Sequence, residues 1–199
     1  MVFGFYWLIK LKKQLLLSVV VLLVGYNHVL SFYKFSSESS IKSEDTFTVM
    51  SYNVRLFNLY DWIDDKTIPT KIQDFITKES PNIVCFQEYD SSVDLDFRFF
   101  PYIHQTKSSA SKKSELAILS TYEILNSGYI EFPNSANSAI YADVLIKSDT
   151  LRVYNVHLQS SGIDTNVNVE TIDSEQSNKL LKRLGITFKA QQSQAELVA

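Results

Sequence analysis

Cysteine is almost absent from this chain: Cys85 is the only one in 199 residues. A single thiol excludes an internal disulfide and every zinc site built on paired cysteines. It sits within Ile83-Val84-Cys85-Phe86, so it reads as a small buried hydrophobe. Glycine and proline are scarce, at five and four, which excludes a collagen-like or Pro/Gly-rich disordered chain. Histidine is rarer still: there are three, and none follows His157. Apolar residues make up 45% of the chain, ordinary for a globular core, and the length suits one domain.

Charge is distributed unevenly. Residues 1–43 hold five lysines (Lys10, Lys12, Lys13, Lys34 and Lys42) against Glu38, a net charge of +4. The remainder has 14 basic and 21 acidic residues, a net −7. A domain that acidic is poorly suited to grip nucleic acid by counterion release alone. A bound divalent metal offsets such charge locally, so a nucleic-acid substrate stays open.

Leu15 to Val24 is ten residues long and apolar apart from Ser18, and Gly25 to Tyr33 extends it more mildly. Spanning a bilayer takes about 20 residues. The expectation is a transmembrane helix over 14–34, with Lys10, Lys12 and Lys13 on its cytoplasmic side and the rest of the chain on the extracytoplasmic side. Two alternatives are a cleaved signal peptide, for which no small-x-small site follows Val24, and a buried soluble helix. Residues 1–13 look like the end of an earlier hydrophobic segment followed by a basic turn, making the span either a single pass or the last of several. Residues 35–45 are serine-rich and read as a linker.

Beyond the linker, strand formers dominate Phe47 to Val54. Ile68, Ile72, Phe75 and Ile76 follow helical spacing, with Pro69 in the first turn. Asn82 to Phe86 is nearly all apolar, the pattern of a strand buried on both faces. Leu116–Leu119, Ala139–Ile146 and Leu151–Val156 read as further strands, the last two joined as a hairpin by the polar turn 147–150. From about Thr171 the pattern is helical, with a stripe of Leu180, Leu184, Phe188, Gln191, Ala195 and Val198. This order predicts a mixed α/β layered domain over 46–199.

Three polar residues close apolar strands: Asn53, Glu88 and His157. Protruding polar groups at strand ends are where sheet proteins build sites. An amide oxygen and a carboxylate are hard ligands suited to Mg²⁺, and an imidazole beside them can donate to a phosphoryl oxygen. Singly, each also has a structural reading: a turn for Asn53, a surface carboxylate for Glu88, a satisfied edge histidine for His157. Arg55 reads as the partner of a nearby acid, Lys107, Lys112 and Lys113 as a solvated loop, and Asn134 and Asn137 as turn residues.

The segments VMSYNVRLFN (49–58), PNIVCFQEYD (81–90), SELAILSTYEILNSG (114–128) and LRVYNVHLQSS (151–161) occur in the order and spacing of the endonuclease/exonuclease/phosphatase family. The chain resembles that DNase-I-like family over about residues 46–199, and its apolar start resembles a membrane-anchored bacterial subgroup. The resemblance implies a four-layer α/β sandwich, of which this chain is the N-terminal part. It implies Asn53 and Glu88 at a Mg²⁺ or Mn²⁺ ion and His157 as a catalytic residue on the scissile phosphate. It implies hydrolysis of a phosphoester by metal-activated water, the ester being a phospholipid head group, a small phosphoester or a nucleic acid. The family's GDxN motif and its late SDH motif do not occur: none of the five glycines precedes an aspartate. The expectation is therefore a chain cut short of its water-activating half and inactive alone, or a pseudoenzyme.

Overall fold

The computed structural model describes residues 6, 7, 10, 13, 15–32, 46–106, 115–162 and 173–199. The expected linker over 35–45 and the lysines at 107, 112 and 113 lie outside the described residues. The chain forms two compact units, Met1–Thr46 and Phe47–Ala199.

The first unit contains helix α1, Leu15–Phe32, of 18 residues. At about 1.5 Å per residue it measures about 27 Å, short of a hydrocarbon core about 30 Å thick. Among the described residues no helix is long and apolar enough to cross a membrane. The expected transmembrane helix over 14–34 is corrected on this point. Its apolar run is confined to the early turns, and Gly25 and Tyr26 dilute the later ones. Leu16, Leu17 and Val19 to Val24 are exposed.

The second unit is a mixed α/β domain built on two sheets. Its elements run β1 (Val49–Asn53), α2 (Ile68–Glu79), β2 (Ile83–Tyr89), β3 (Tyr102–Gln105), β4 (Glu115–Ser120), β5 (Ile124–Glu131), β6 (Ser138–Ile146), β7 (Asp149–Val156) and α3 (Ser174–Val198). The first sheet has the order β1-β2-β4-β3, the second β5-β6-β7. Only β1 and β2 pair in parallel, because only they are joined by a crossover helix.

Alternation along β2 and β4 sorts the core into two layers. Val84, Phe86, Ala117 and Leu119 face α2, packing with Ile72, Ile76, Phe57 and Phe100. Ile83, Cys85, Leu116 and Ile118 face the second sheet, meeting Ile140, Ala142 and Val144 of β6. Both strands are thus buried on both faces, as an unbroken apolar run requires. Burial pushes the Cys85 thiol up to about 11. Of the four layers expected, three are evident here: α2, the first sheet and the second sheet. The outer face of the second sheet carries Tyr141, Asp143, Arg152 and Tyr154, with Tyr154 and Arg152 exposed.

The hairpin expected at 147–150 forms with Ile146 opposite Asp149, and Lys147 takes a positive φ of 57° at its tip. Two strands escaped the sequence reading, β3 and β5. Both are mostly exposed and polar-interrupted, so neither shows a clean apolar run. Gly128 in β5 serves the hairpin's other neighbour: a Cβ there would stand 2.5 Å from the Tyr141 ring.

Helix α3 starts at a capping box, in which Asp173 Oδ1 accepts from the Gln176 N–H at 2.7 Å. Its docked face keeps Leu180, Leu184, Gln191 and Val198 of the expected stripe, all half-buried, and departs from it at Phe188 and Ala195. Thr187 and Gln194 are its buried residues, while Phe188 is exposed. Hydrogen bonding decides the rotation: Gln194 Oε1 accepts from the Gln159 N–H at 2.8 Å, and Gln191 Nε2 donates to Gln159 O at 2.7 Å. The half-buried backbone N–H and carbonyl of Gln159 need partners, and glutamines supply them where a phenylalanine could not.

Candidate functional site

β1 and β2 run parallel and end side by side, with Asn53 opposite Gln87. Glu88 comes next, at an irregularity where the β2–β4 register shifts between Phe86 and Tyr89. Its φ of 49° lies in the left-handed region, which β-carbon-bearing residues rarely adopt. The bulge swings Glu88 toward the strand ends and away from the ladder. There its Oε1 accepts from Asn53 Nδ2 at 2.9 Å.

His157 arrives from the other sheet. It follows β7, held by its backbone N–H donating to Ser138 O at 3.1 Å. Its Nε2 stands 3.7 Å from Glu88 Oε1. That is beyond a hydrogen bond but within ion-pair range for a protonated imidazole. The side chains are 22% and 30% exposed, so both reach solvent. All three residues singled out in the sequence therefore converge at one point. The turn reading of Asn53 also holds, since its Oδ1 accepts from the Arg55 N–H at 3.0 Å.

The two sheets are fastened directly beneath this point by a residue that the sequence reading did not pick out. Asn155 is 1% exposed. Its Nδ2 donates to Phe86 O at 2.7 Å and to Ala117 O at 2.9 Å, and its Oδ1 accepts from Gln87 Nε2 at 2.7 Å. Phe86 is the last paired residue before the register shift, and the Asn155 amide donates to its buried carbonyl there. The only sequence signal was a polar residue in the inward register of β7, two places before His157. Asn137 plays a related part: its Nδ2 donates to Leu158 O at 2.8 Å, anchoring the residue after His157.

The carboxylate of Glu115 is engaged through one oxygen, while its Oε2 is buried without a hydrogen-bond partner among the described residues. Glu115 is buried, and its Oε1 accepts from Ser91 Oγ at 3.1 Å. Burial first, then the charges of Glu115 and Asp90, push the Tyr89 phenol up. Among the described residues no group of three or more His, Cys, Asp or Glu side chains is arranged to hold a metal ion. The donor set around Glu88 is one carboxylate, one amide and solvent. That set fits a largely hydrated Mg²⁺, which takes one or two carboxylates and keeps several waters. Glu88 pairs with no lysine or arginine among the described residues, so its charge is free to meet a cation.

No protein-family model matches this chain, and no curated protein matches it. Among solved structures, the chain is similar to TDP2 of D. rerio complexed with a single-strand DNA product, with a TM-score of 0.49 and 16% identity over 70% of this chain and 54% of that one. It is similar to truncated TDP2 of Caenorhabditis elegans, with a TM-score of 0.42 and 20% identity over 57% of this chain and 47% of that one. It is also similar to ANGEL2, a 2',3'-cyclic phosphatase, in complex with adenosine-2',3'-vanadate, with a TM-score of 0.46 and 19% identity over 57% of this chain and 41% of that one. The chain spans about half the length of these proteins.

Proposed function

We propose that this chain carries the metal-binding side of a Mg²⁺-dependent phosphoesterase site of the endonuclease/exonuclease/phosphatase type. The observation that supports it is the convergence of Asn53, Glu88 and His157 from three strands of two sheets, with Glu88 within 2.9 Å of the amide and 3.7 Å of the imidazole. Glu88 would hold the ion, and Asn53 would fix the Glu88 rotamer. A bound Mg²⁺ would supply Lewis acidity and a water of lowered pKa. His157 would donate to a phosphoryl oxygen and neutralise the charge that grows there.

A second reading, an inactive member of the same family, is favoured by the imidazole count. His104 is engaged with Gly128 O at 3.3 Å, which leaves His157 as the one imidazole beside Glu88 among the described residues. General acid–base catalysis is worth about 10²–10⁴-fold, so one imidazole without a second proton acceptor costs most of the rate. Calorimetric titration with Mg²⁺ tests the metal side: one ion should bind the wild-type chain and none the Glu88→Ala variant. Equal binding by both would sink the proposal. Both readings predict negligible turnover of bis-p-nitrophenyl phosphate by this chain, and hydrolysis at the rate of an intact enzyme of this type would sink both.

Membrane attachment belongs to the same proposal. A helix apolar on every side, as the exposed Leu16, Leu17, Val20, Val21, Leu22 and Leu23 make α1, needs a partner that is apolar too. The acyl chains of a membrane would supply it. The full chain should float with phosphatidylcholine vesicles and a chain starting at Phe47 should not; equal flotation would remove α1 from the account.

A further inference from the structure

The loop that leaves Asn53 carries a cation of its own, Arg55. Arg55 lies two residues beyond Asn53 and is tied to it by the 3.0 Å hydrogen bond from its backbone N–H. Its guanidinium carbon stands 4.5 Å from the centroid of the Trp62 ring. Of the acids in this loop, Asp61 pairs with Lys66 and Asp65 with Lys71. Among the described residues, Arg55 therefore faces an aromatic ring and no carboxylate. The expectation that it pairs with a nearby acid is corrected on this point.

The arrangement is built into the backbone. Arg55, Leu56, Phe57 and Asn58 all take positive φ, between 45° and 65°. Each such residue costs about 1–2 kcal/mol. Burial of Leu56 and Phe57 in the core offsets that cost. The Asn58 side chain then clamps Ile63, donating to its carbonyl at 2.8 Å and accepting from its N–H at 3.0 Å. The clamp holds Trp62, 43% exposed, against Arg55, with Tyr60 meeting its ring edge-on at 5.1 Å.

Phosphate esters are anions, and this domain is net acidic with a carboxylate at its centre. The Arg55 guanidinium, on the loop that follows Asn53, supplies a positive charge. Arginine suits the task because its fork bonds phosphate oxygens while its face stays on an aromatic ring. Exposed aromatic rings with arginine form a surface on which planar bases stack.

We infer that Arg55 and Trp62 form a substrate subsite beside Glu88, the guanidinium holding a phosphate oxygen and the exposed ring stacking a planar ring, so that the ligand class is a nucleotide-type phosphate ester. This rests on the reading of Glu88 and His157 as the reacting end of the site.

The test uses the full chain in detergent micelles with Trp7→Phe, which leaves Trp62 as the sole indole. Adenosine 5'-monophosphate should quench Trp62 saturably, and glycerol 3-phosphate should bind about tenfold more weakly. Arg55→Gln should weaken the nucleotide about tenfold, Arg55→Lys should not restore it, and Trp62→Leu, followed by calorimetry, should match the loss. Thermal melts report whether each variant is folded, and Trp62→Leu keeps the test decisive if Arg55→Gln is not. Unchanged nucleotide affinity in the folded variants, or equal affinity for the two phosphates, overturns the subsite. Loss of nucleotide binding in Arg55→Gln with Mg²⁺ uptake retained supports it. Nucleotide binding by a wild-type chain that takes up no Mg²⁺ would sink the metal reading and leave the subsite standing. A single-stranded oligonucleotide binding more tightly than the mononucleotide places the ligand in a strand; equal affinity places it among free nucleotides.

Discussion

The first sheet and the second sheet are built from similar residues but live in different surroundings. β4, at the middle of the first sheet, buries every residue, Glu115 included. In the second sheet, β6 buries Ile140, Ala142 and Val144 on one face and turns Tyr141 and Asp143 to the other. Polar order on that outer face is self-contained. Arg152 bonds Asp143 at 2.6 and 2.8 Å, and its guanidinium carbon lies 4.3 Å from the Tyr141 ring centroid. The difference teaches where stability and function divide. β2 and β4 of the first sheet are held by apolar burial on two sides, so on β2 the strand end is what is left to carry chemistry.

Three substitutions grade that comparison. Phe86→Ala, in the doubly covered sheet, should destabilise by about 3–5 kcal/mol through the cavity it leaves. Asn155→Ala, at the join between sheets, should cost about 2–3 kcal/mol, because the Phe86 and Ala117 carbonyls lose their donor. Tyr154→Ala, on the open face, should cost under about 1 kcal/mol. Urea unfolding of the three variants measures the order. A Tyr154→Ala loss equal to that of Phe86→Ala would mean that the outer face is covered.

The smallest effect concerns acid. The Arg152 guanidinium, followed by the Asn126 amide, holds the Asp143 carboxyl down at about 2. A depressed folded-state pKa contributes stability above the unfolded value, about 3.9, and that contribution is lost as pH falls through the folded one. Unfolding midpoints of wild type and Asp143→Asn should therefore converge between about pH 4 and pH 2. Parallel curves across that window would show that the pair adds nothing to folding.

Much of this was legible in the sequence. Ile83-Val84-Cys85-Phe86 announced a strand buried on both faces because no polar residue interrupts it. The hairpin at 147–150 was legible because polar turn residues separate two apolar runs. Asn53, Glu88 and His157 were legible because each ends such a run. β3 and β5 were not, since their pairing with neighbours, rather than their own pattern, makes them strands. The docked face of α3 was legible at Leu180, Leu184, Gln191 and Val198 but not at Thr187 and Gln194, because helical periodicity weighs hydrophobicity, while Gln194 docks through a hydrogen bond to Gln159. The 14–34 segment was read from composition, which measures how apolar a stretch is and not where its helix begins and ends.

The sequence by itself determined the mixed α/β character, the doubly buried strands and which polar residues stand at strand ends, since these follow from local periodicity. Tertiary structure alone decided three things. It brought Glu88 to 2.9 Å from Asn53 and 3.7 Å from His157. It made Asn155 the join between sheets, and it set Arg55 over Trp62 instead of beside an acid. Each depends on a bulge or a left-handed turn whose local cost is offset only by burial elsewhere, and no window of sequence contains both sides of that balance.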